Sequence, residues 1–297
     1  MDKFEAMRVF CSVIEAGGFA PAADRMGLST SAVSRHVAQL EAHLNVRLLN
    51  RTTRRMSPTD EGFAYFERCT QLLADLEETE ASVSGEAHRP HGRLRLTAPI
   101  ALATLRLAPA FAAFSRQYPD ITLDILLSDS IADFAEEGLD LAIRVGRVGS
   151  ENLVARHIGD SILLVAAAAD YLKRAGTPSC PDDLAHHECL TYTYSSIGNQ
   201  WSFEDAGGKT ITTRIGGPIN ANNGMLLAEI AAEGGGIAFA PCFILQPLID
   251  AGRLQRVLPD WSTPRLPIHA VYPTRRHLSA KVQAMTGFLT AWFAEQR

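Results

Sequence analysis

Apolar positions near the start of the chain recur with helical spacing. Phe4, Met7, Phe10 and Val13 step by three, which predicts one face of an amphipathic helix ending at Gly17-Gly18. A short second helix is expected from Pro21, a residue favoured in a first turn, through Ala22-Ala23 to a stop at Gly27. Ser29 then stands where an N-cap is needed, and Val33, Val37, Leu40 and Leu44 line one side of a third helix. Its other side carries Ser31, Ser34, Arg35 and Ala38. Small residues let a backbone approach base edges, hydroxyls donate and accept, and arginine reaches a guanine edge or a phosphate, so this surface suits a DNA major groove. Any surface helix has a polar side. What distinguishes this one is the sequel, residues 48–58, where extended patches flank an arginine-rich turn. That segment reads as a β-wing able to place Arg51, Arg54 or Arg55 at the backbone or minor groove.

From Thr59 onward Phe66, Cys69, Leu73, Leu76, Glu80 and Val83 alternate steps of three and four, a heptad seam. Such a seam is expected to pair two copies of the chain, although a helix packed on its own domain would share the pattern. Gly85, Pro90 and Gly92 interrupt helical patterning and predict a hinge. Beyond it strands alternate with helices: strand-like Leu94-Arg95-Leu96, a helix near 105–115, a strand over 121–127, a helix started by Asp129 or Ser130, and a strand over 140–146. Further units are expected at 162–167, 211–219, 225–232, 237–240 and 268–273, and a last helix over 279–293. That alternation predicts a parallel sheet with connections packed on its faces.

At 297 residues the chain suits two or three compact domains, and 46% hydrophobic with 21% charged residues is the usage of a soluble globular protein. No apolar run approaches the ~20 residues of a membrane span, and residues 1–5 lack the pattern of a secretory signal, so a cytoplasmic protein with no membrane partner is expected. Cys11, Cys69, Cys180, Cys189 and Cys242 are odd in number and scattered, which predicts reduced thiols and neither a metal site nor a cofactor built on them. The net charge of −5 is unevenly distributed. Residues 1–58 hold eight basic against five acidic side chains, whereas 59–91 hold eight acidic against two basic. A basic head followed by an acidic helix is compatible with nucleic-acid binding where the total alone is not.

Gly18-Phe19, Ala22-Ala23, Leu28-Ser29, Ala32-Val33-Ser34-Arg35-His36-Val37, Leu40-Glu41, Leu44-Asn45-Val46-Arg47-Leu48-Leu49, Arg51-Thr52 and Thr59-Asp60-Glu61-Gly62 together resemble the N-terminal signature of LysR-type transcriptional regulators. The resemblance implies an α plus α/β architecture: a winged helix-turn-helix over 1–58, a linker and dimerisation helix with hinge over 59–91, and an effector-binding domain over 92–297. That last domain is expected to look like a periplasmic binding protein, with one α/β lobe from 92–162 and 267–297 and the other from 163–266. It further implies DNA contacts from residues matching Thr30, Ser31, Ser34 and Arg35 on the recognition helix and Arg51 and Arg54 on the wing. A homodimer or homotetramer on an interrupted palindromic operator, a small-molecule effector and RNA polymerase are the implied partners. Ala20 departs from the pattern, standing where the family usually has a Ser or Thr cap at a cost of ~1 kcal/mol.

An effector is expected between the lobes, where strands end and helix N-termini present free N–H groups. Candidates are Thr97, Pro99, Ile100 and Ala101 after one strand, Ser128 after the next, Asn222 ahead of the Met225 helix, and Tyr194 and Ser195 near the lobe crossover. Thr, Ser and Asn at helix starts are more often plain caps. Arg144 is read either as a carboxylate clamp or as an ion-pair partner of Asp140. An enzyme on a two-lobed fold is the rival class, but no Gly-x-Ser-x-Gly elbow, phosphate-binding Gly-x-x-x-x-Gly-Lys or His-Glu-x-x-His is present. A second rival keeps the regulator and makes its input oxidation, since Cys189 resembles in position the reactive thiol of peroxide-sensing LysR relatives. Gly198 stands where their partner cysteine is expected, so Cys189 is read as an ordinary half-buried thiol.

Overall fold

The computed structural model describes residues 1–51, 56–84, 90–130, 138–146, 153–195, 198–273 and 278–296, in two compact units divided after Arg89. The first unit holds α1 (Lys3–Glu15), α2 (Phe19–Met26), α3 (Thr30–Leu44), a hairpin of β1 (Leu49–Arg51) and β2 (Met56–Pro58), and the long helix α4 (Asp60–Ser84). Asp2 starts α1 by accepting from the N–H groups of Phe4 and Glu5. The buried stripe of α1 is Ala6, Val9, Phe10 and Val13, whereas Phe4 is 47% exposed. The three-residue step therefore followed a line that drifts around the helix, and the step that tracks the core mixes threes and fours. α2 begins two residues before Pro21, with Gly18 at the N-cap and Ala20 already inside the first turn. It ends at Gly27, whose left-handed φ of 66° lets Leu28 N–H reach back to Ala23 O.

Ser29 caps α3 through Ala32 N–H, as expected from sequence, and Asn45 closes it in the left-handed region. Val33, Val37 and Leu40 face the core shared with α1, α2 and the wing base Leu48-Leu49. Thr59 caps α4: its Oγ1 accepts from Gly62 N–H at 2.9 Å and donates to Arg47 O at 2.8 Å. The linker seam is corrected in its first half. Cys69 and Leu73 are 0% and 8% exposed inside this same core, with Phe66 packed against it, so the first half of the pattern belongs to the chain's own head. Glu80, at the other end of that pattern, is exposed, as is Leu72 on α4.

The second unit is a mixed sheet with helices. β3 (Gly92–Ala98) pairs in parallel with β4 (Ile121–Leu127) and β5 (Leu141–Val145), but β13 (Arg265–Pro273) runs antiparallel to β5 and to the fifteen-residue β6 (Leu153–Ala167). β11 (Ala238–Pro241) and β12 (Gln255–Arg256) continue antiparallel on the far end of β6. The expected all-parallel sheet is thus corrected, because β13 returns to the first lobe and enters between β5 and β6. β6 hands over from β13 to β11 between Ile162 and Leu163, which is where one strand carries the chain from lobe to lobe. Gly159 sits in that strand because a Cβ there would stand 2.7 Å from the Phe293 ring of the closing helix. Around the strands lie α5 (Ile100–Leu102), a π-helical turn over Ala103–Leu107, α6 (Ala108–Gln117) and α7 (Ala169–Ala175). The 211–219 stretch is not one strand: β8 (Gln200–Glu204) and β9 (Thr210–Arg214) form a hairpin, and β10 (Asn220–Ala221) pairs separately with β7 (Thr191–Tyr192). α8 (Gly224–Ala232) and α9 (Cys242–Asp250) flank β11, and α10 (Ala280–Glu295), capped by Ser279, closes the chain. The helix expected after Asp129-Ser130 falls outside the described residues.

Candidate functional site

α3 presents a solvent surface of Thr30, Ser31, Arg35 and Ala38, with Ser34 half-buried beside them, while its aliphatic side is sealed. Ser31 Oγ lies 3.0 Å from the capping hydroxyl of Ser29, so two hydroxyls cluster where the helix N-terminus adds partial positive charge. Arg51 ends β1 opposite Met56, and Arg54 lies outside the described residues. Sequence reasoning missed the group that holds the wing in place. Glu41 Oε1, on α3, accepts from the N–H groups of Leu48 and Leu49 at 2.9 and 3.1 Å, so one side chain fixes the strand entry relative to the recognition helix. Only the Leu40-Glu41 element of the signature hinted at it, since no local spacing rule links position 41 to position 48.

In the second unit, β3 ends at Ala98 and Pro99 leads into α5, while β4 ends at Leu127 and Ser128 follows it. Asp129 Oδ1 accepts from Ile100 N–H at 3.0 Å, joining the two strand ends. Burial raises the Asp129 carboxyl above its ordinary value, opposed by the Ile100 N–H and the Arg144 guanidinium. Arg144 donates to the carbonyls of Ile143 (2.9 Å) and Ser130 (3.2 Å), and Ser128 and Ser130 hydroxyls lie 2.7 Å apart. From the other lobe, Tyr192 approaches this corner: burial first, then the Asp129 and Tyr194 charges, push its phenol up to about 12. Tyr192 and Tyr194 rings meet edge to face at 6.0 Å, and Tyr194 and Ser195 follow β7. Thr97 and Ala101 are buried, and the Thr97 hydroxyl is sealed from solvent in this conformation. Asn222 is exposed, and the cap of α8 is its neighbour Asn223, which accepts from Leu226 N–H at 2.9 Å. Asp140 is held by Lys281 at 2.9 Å and by Arg95 N–H at 3.0 Å, a structural role. Asp129 is the residue that sequence reasoning weighed only as a cap, and nothing short of the folded strand ends places it on Ile100.

Cys189 is fully buried, with its thiol donating to Leu184 O at 3.5 Å, rather than half-buried. Among the described residues no group of three or more His, Cys, Asp or Glu side chains is arranged to hold a metal ion, and no helix is long and apolar enough to cross a membrane.

A winged helix-turn-helix followed by a two-lobed α/β body defines a ligand-responsive DNA-binding regulator. Residues 4–63 match the family described as bacterial regulatory helix-turn-helix protein, lysR family, and residues 87–294 match the LysR substrate binding domain. The chain belongs to the LysR family of transcriptional regulators, which are not enzymes. It is 37% identical over 286 residues to an uncharacterized HTH-type transcriptional regulator of Haemophilus influenzae, covering 96% of this chain and 99% of that one. It is 36% identical to an HTH-type transcriptional repressor of Pseudomonas aeruginosa, covering 99% and 93%. Among solved structures it is similar to the LysR-type regulator CrgA from Neisseria meningitidis, with 33% identity, a TM-score of 0.60, and 97% and 98% of the two chains covered.

Proposed function

We propose that this regulator reads an interrupted palindrome as a cytoplasmic homodimer, or a pair of dimers, with Thr30, Ser31, Ser34 and Arg35 in the major groove and Arg51 and Arg54 on the backbone or minor groove. Two copies of one head on a two-fold axis require two half-sites. The observation that carries the reading is the two-sidedness of α3: small polar groups and one arginine in solvent, Val33, Val37 and Leu40 sealed behind them. The effector is held in the corner of Pro99, Ile100, Ala101, Ser128, Arg144, Tyr194, Ser195 and Asn222, and its binding shifts the lobes between two arrangements that the DNA and RNA polymerase sense differently. Thr97 supports that corner from beneath, since its side chain is enclosed.

The test is Arg35→Ala. Arg35 is exposed, so its truncation leaves the fold intact. Affinity for duplexes selected by the wild-type chain from a random library should fall by about 1–3 kcal/mol, roughly 5- to 150-fold. Unchanged affinity at an unchanged melting temperature refutes the recognition-helix assignment.

A further inference from the structure

Two thiols from distant parts of the sequence meet inside the DNA-binding head. Cys11 lies on α1 and Cys69 on α4, both in the same apolar cluster, 6% and 0% exposed, and both free. The two thiols and the Tyr65 hydroxyl lie near enough to shift one another's proton affinity. Thr70 Oγ1 stands 3.8 Å from Cys11 Sγ, and the Phe10 and Tyr65 rings pack at 5.8 Å, so the two helices are held together on either side of the thiols. Tyr65 and Thr70 are only half-buried, which brings one edge of the cluster to solvent.

A buried cysteine by itself is a small hydrophobe. This cluster differs because four polar atoms converge and the two sulfurs are unequal. Interaction with Cys11 and with Tyr65 lowers the Cys69 thiol, whereas interaction with Cys69 and burial push Cys11 up. A disulfide needs one sulfur to be oxidised and a second beside it to resolve the product, and this cluster supplies both.

We infer that Cys11 and Cys69 form a reversible disulfide driven by hydrogen peroxide, which ties the linker helix to the first helix of the DNA-binding head. The Cys69 thiolate attacks one peroxide oxygen; the O–O bond breaks, leaving Cys69 as a sulfenic acid and releasing hydroxide, which takes up the proton Cys69 lost. Cys11 sulfur then displaces the hydroxyl from Cys69 Sγ, and its own proton leaves with that hydroxyl as water. Two thiols are oxidised by two electrons and one peroxide becomes two waters. The link encloses α2, α3 and the wing in one covalent loop, because all three lie between positions 11 and 69. It is separate from the effector corner and from Cys189, which belongs to the second unit.

The experiment is a peptide map of the reduced full-length protein after treatment with hydrogen peroxide. A Cys11–Cys69 linked peptide lighter by two hydrogens is expected, reversed by dithiothreitol, absent from Cys11→Ala and Cys69→Ala and retained in Cys189→Ala. The oxidised wild-type head should also melt at a higher temperature than the reduced one. Both thiols still open to alkylation after peroxide treatment and unfolding would overturn the inference. So would Cys69 sulfinate without the link, or a disulfide through Cys180 or Cys242 instead. The wild-type map decides the matter even if an alanine variant fails to fold.

Discussion

Gly62→Ala offers a sharp test of how the wing is anchored, because the usual effect of the substitution has the opposite sign. In an unconstrained helix, alanine in place of glycine stabilises by ~0.5–1 kcal/mol. Here a Cβ on residue 62 would fall 1.9 Å from Leu48 O, 2.8 Å from its carbonyl carbon and 3.1 Å from its Cα, all backbone atoms that no side-chain rotation can clear. The first turn of α4 must retreat from β1 by about 1.5 Å to reach ordinary contact. That movement breaks the Thr59 N–H to Leu48 O bond (2.9 Å) and strains the Thr59 hydroxyl bond to Arg47 O (2.8 Å). Losing a hydrogen bond of ~1 kcal/mol, much of a cap of ~1 kcal/mol, and adding an overpacking cost of ~1–3 kcal/mol gives a destabilisation of about 3–5 kcal/mol. For a head of under a hundred residues this lowers the melting midpoint by at least about 10 °C. Differential scanning calorimetry of the full chain, with DNA retention measured in parallel, reads both consequences. A Gly62→Ala protein that melts at or above the wild-type temperature would show that the close approach of α4 to β1 does not constrain the fold.

Lys281→Met should destabilise the second unit by about 3–5 kcal/mol, since it removes the cation beside the Asp140 carboxylate, whose side chain is 5% exposed. Adding Asp140→Asn should recover part of that loss in urea unfolding, and equal instability of the single and double variants would argue against the ion pair as the cause. For Cys189, burial pushes the thiol up to about 12, so the folded state favours the neutral form. Its contribution to stability is full below the unfolded thiol's ordinary value and is lost as pH rises from there toward 12. Native protein at pH 8 should accordingly leave Cys189 unlabelled by iodoacetamide, with rapid labelling after unfolding; fast labelling of the native thiol would contradict its sealed environment.

How much of this was legible beforehand depends on the range of the interaction. Ser29 and Thr59 act within one turn of their own position, so a serine or threonine ahead of an apolar period was enough to place α3 and α4. The polar side of α3 was equally readable, because helical geometry alone assigns residues to opposite sides. By contrast, Cys69 and Leu73 satisfy a heptad template and a core template equally, and only the packing of α4 on α1 decided for the core. Asp140 finds Lys281 across 141 positions, and Asp129 finds Ile100 across 29, separations that no pattern of neighbours encodes.

Residue types and their periods determined the helices of the head, the exposed recognition side and the absence of recognisable catalytic motifs, since each is settled by local geometry and chemistry. Strand direction, the antiparallel return of β13 between β5 and β6, the Glu41 brace on the wing and the meeting of Cys11 with Cys69 were decided only by tertiary structure. Those features depend on which distant segments share a core, and burial of apolar surface is non-directional: it rewards contact without specifying the partner.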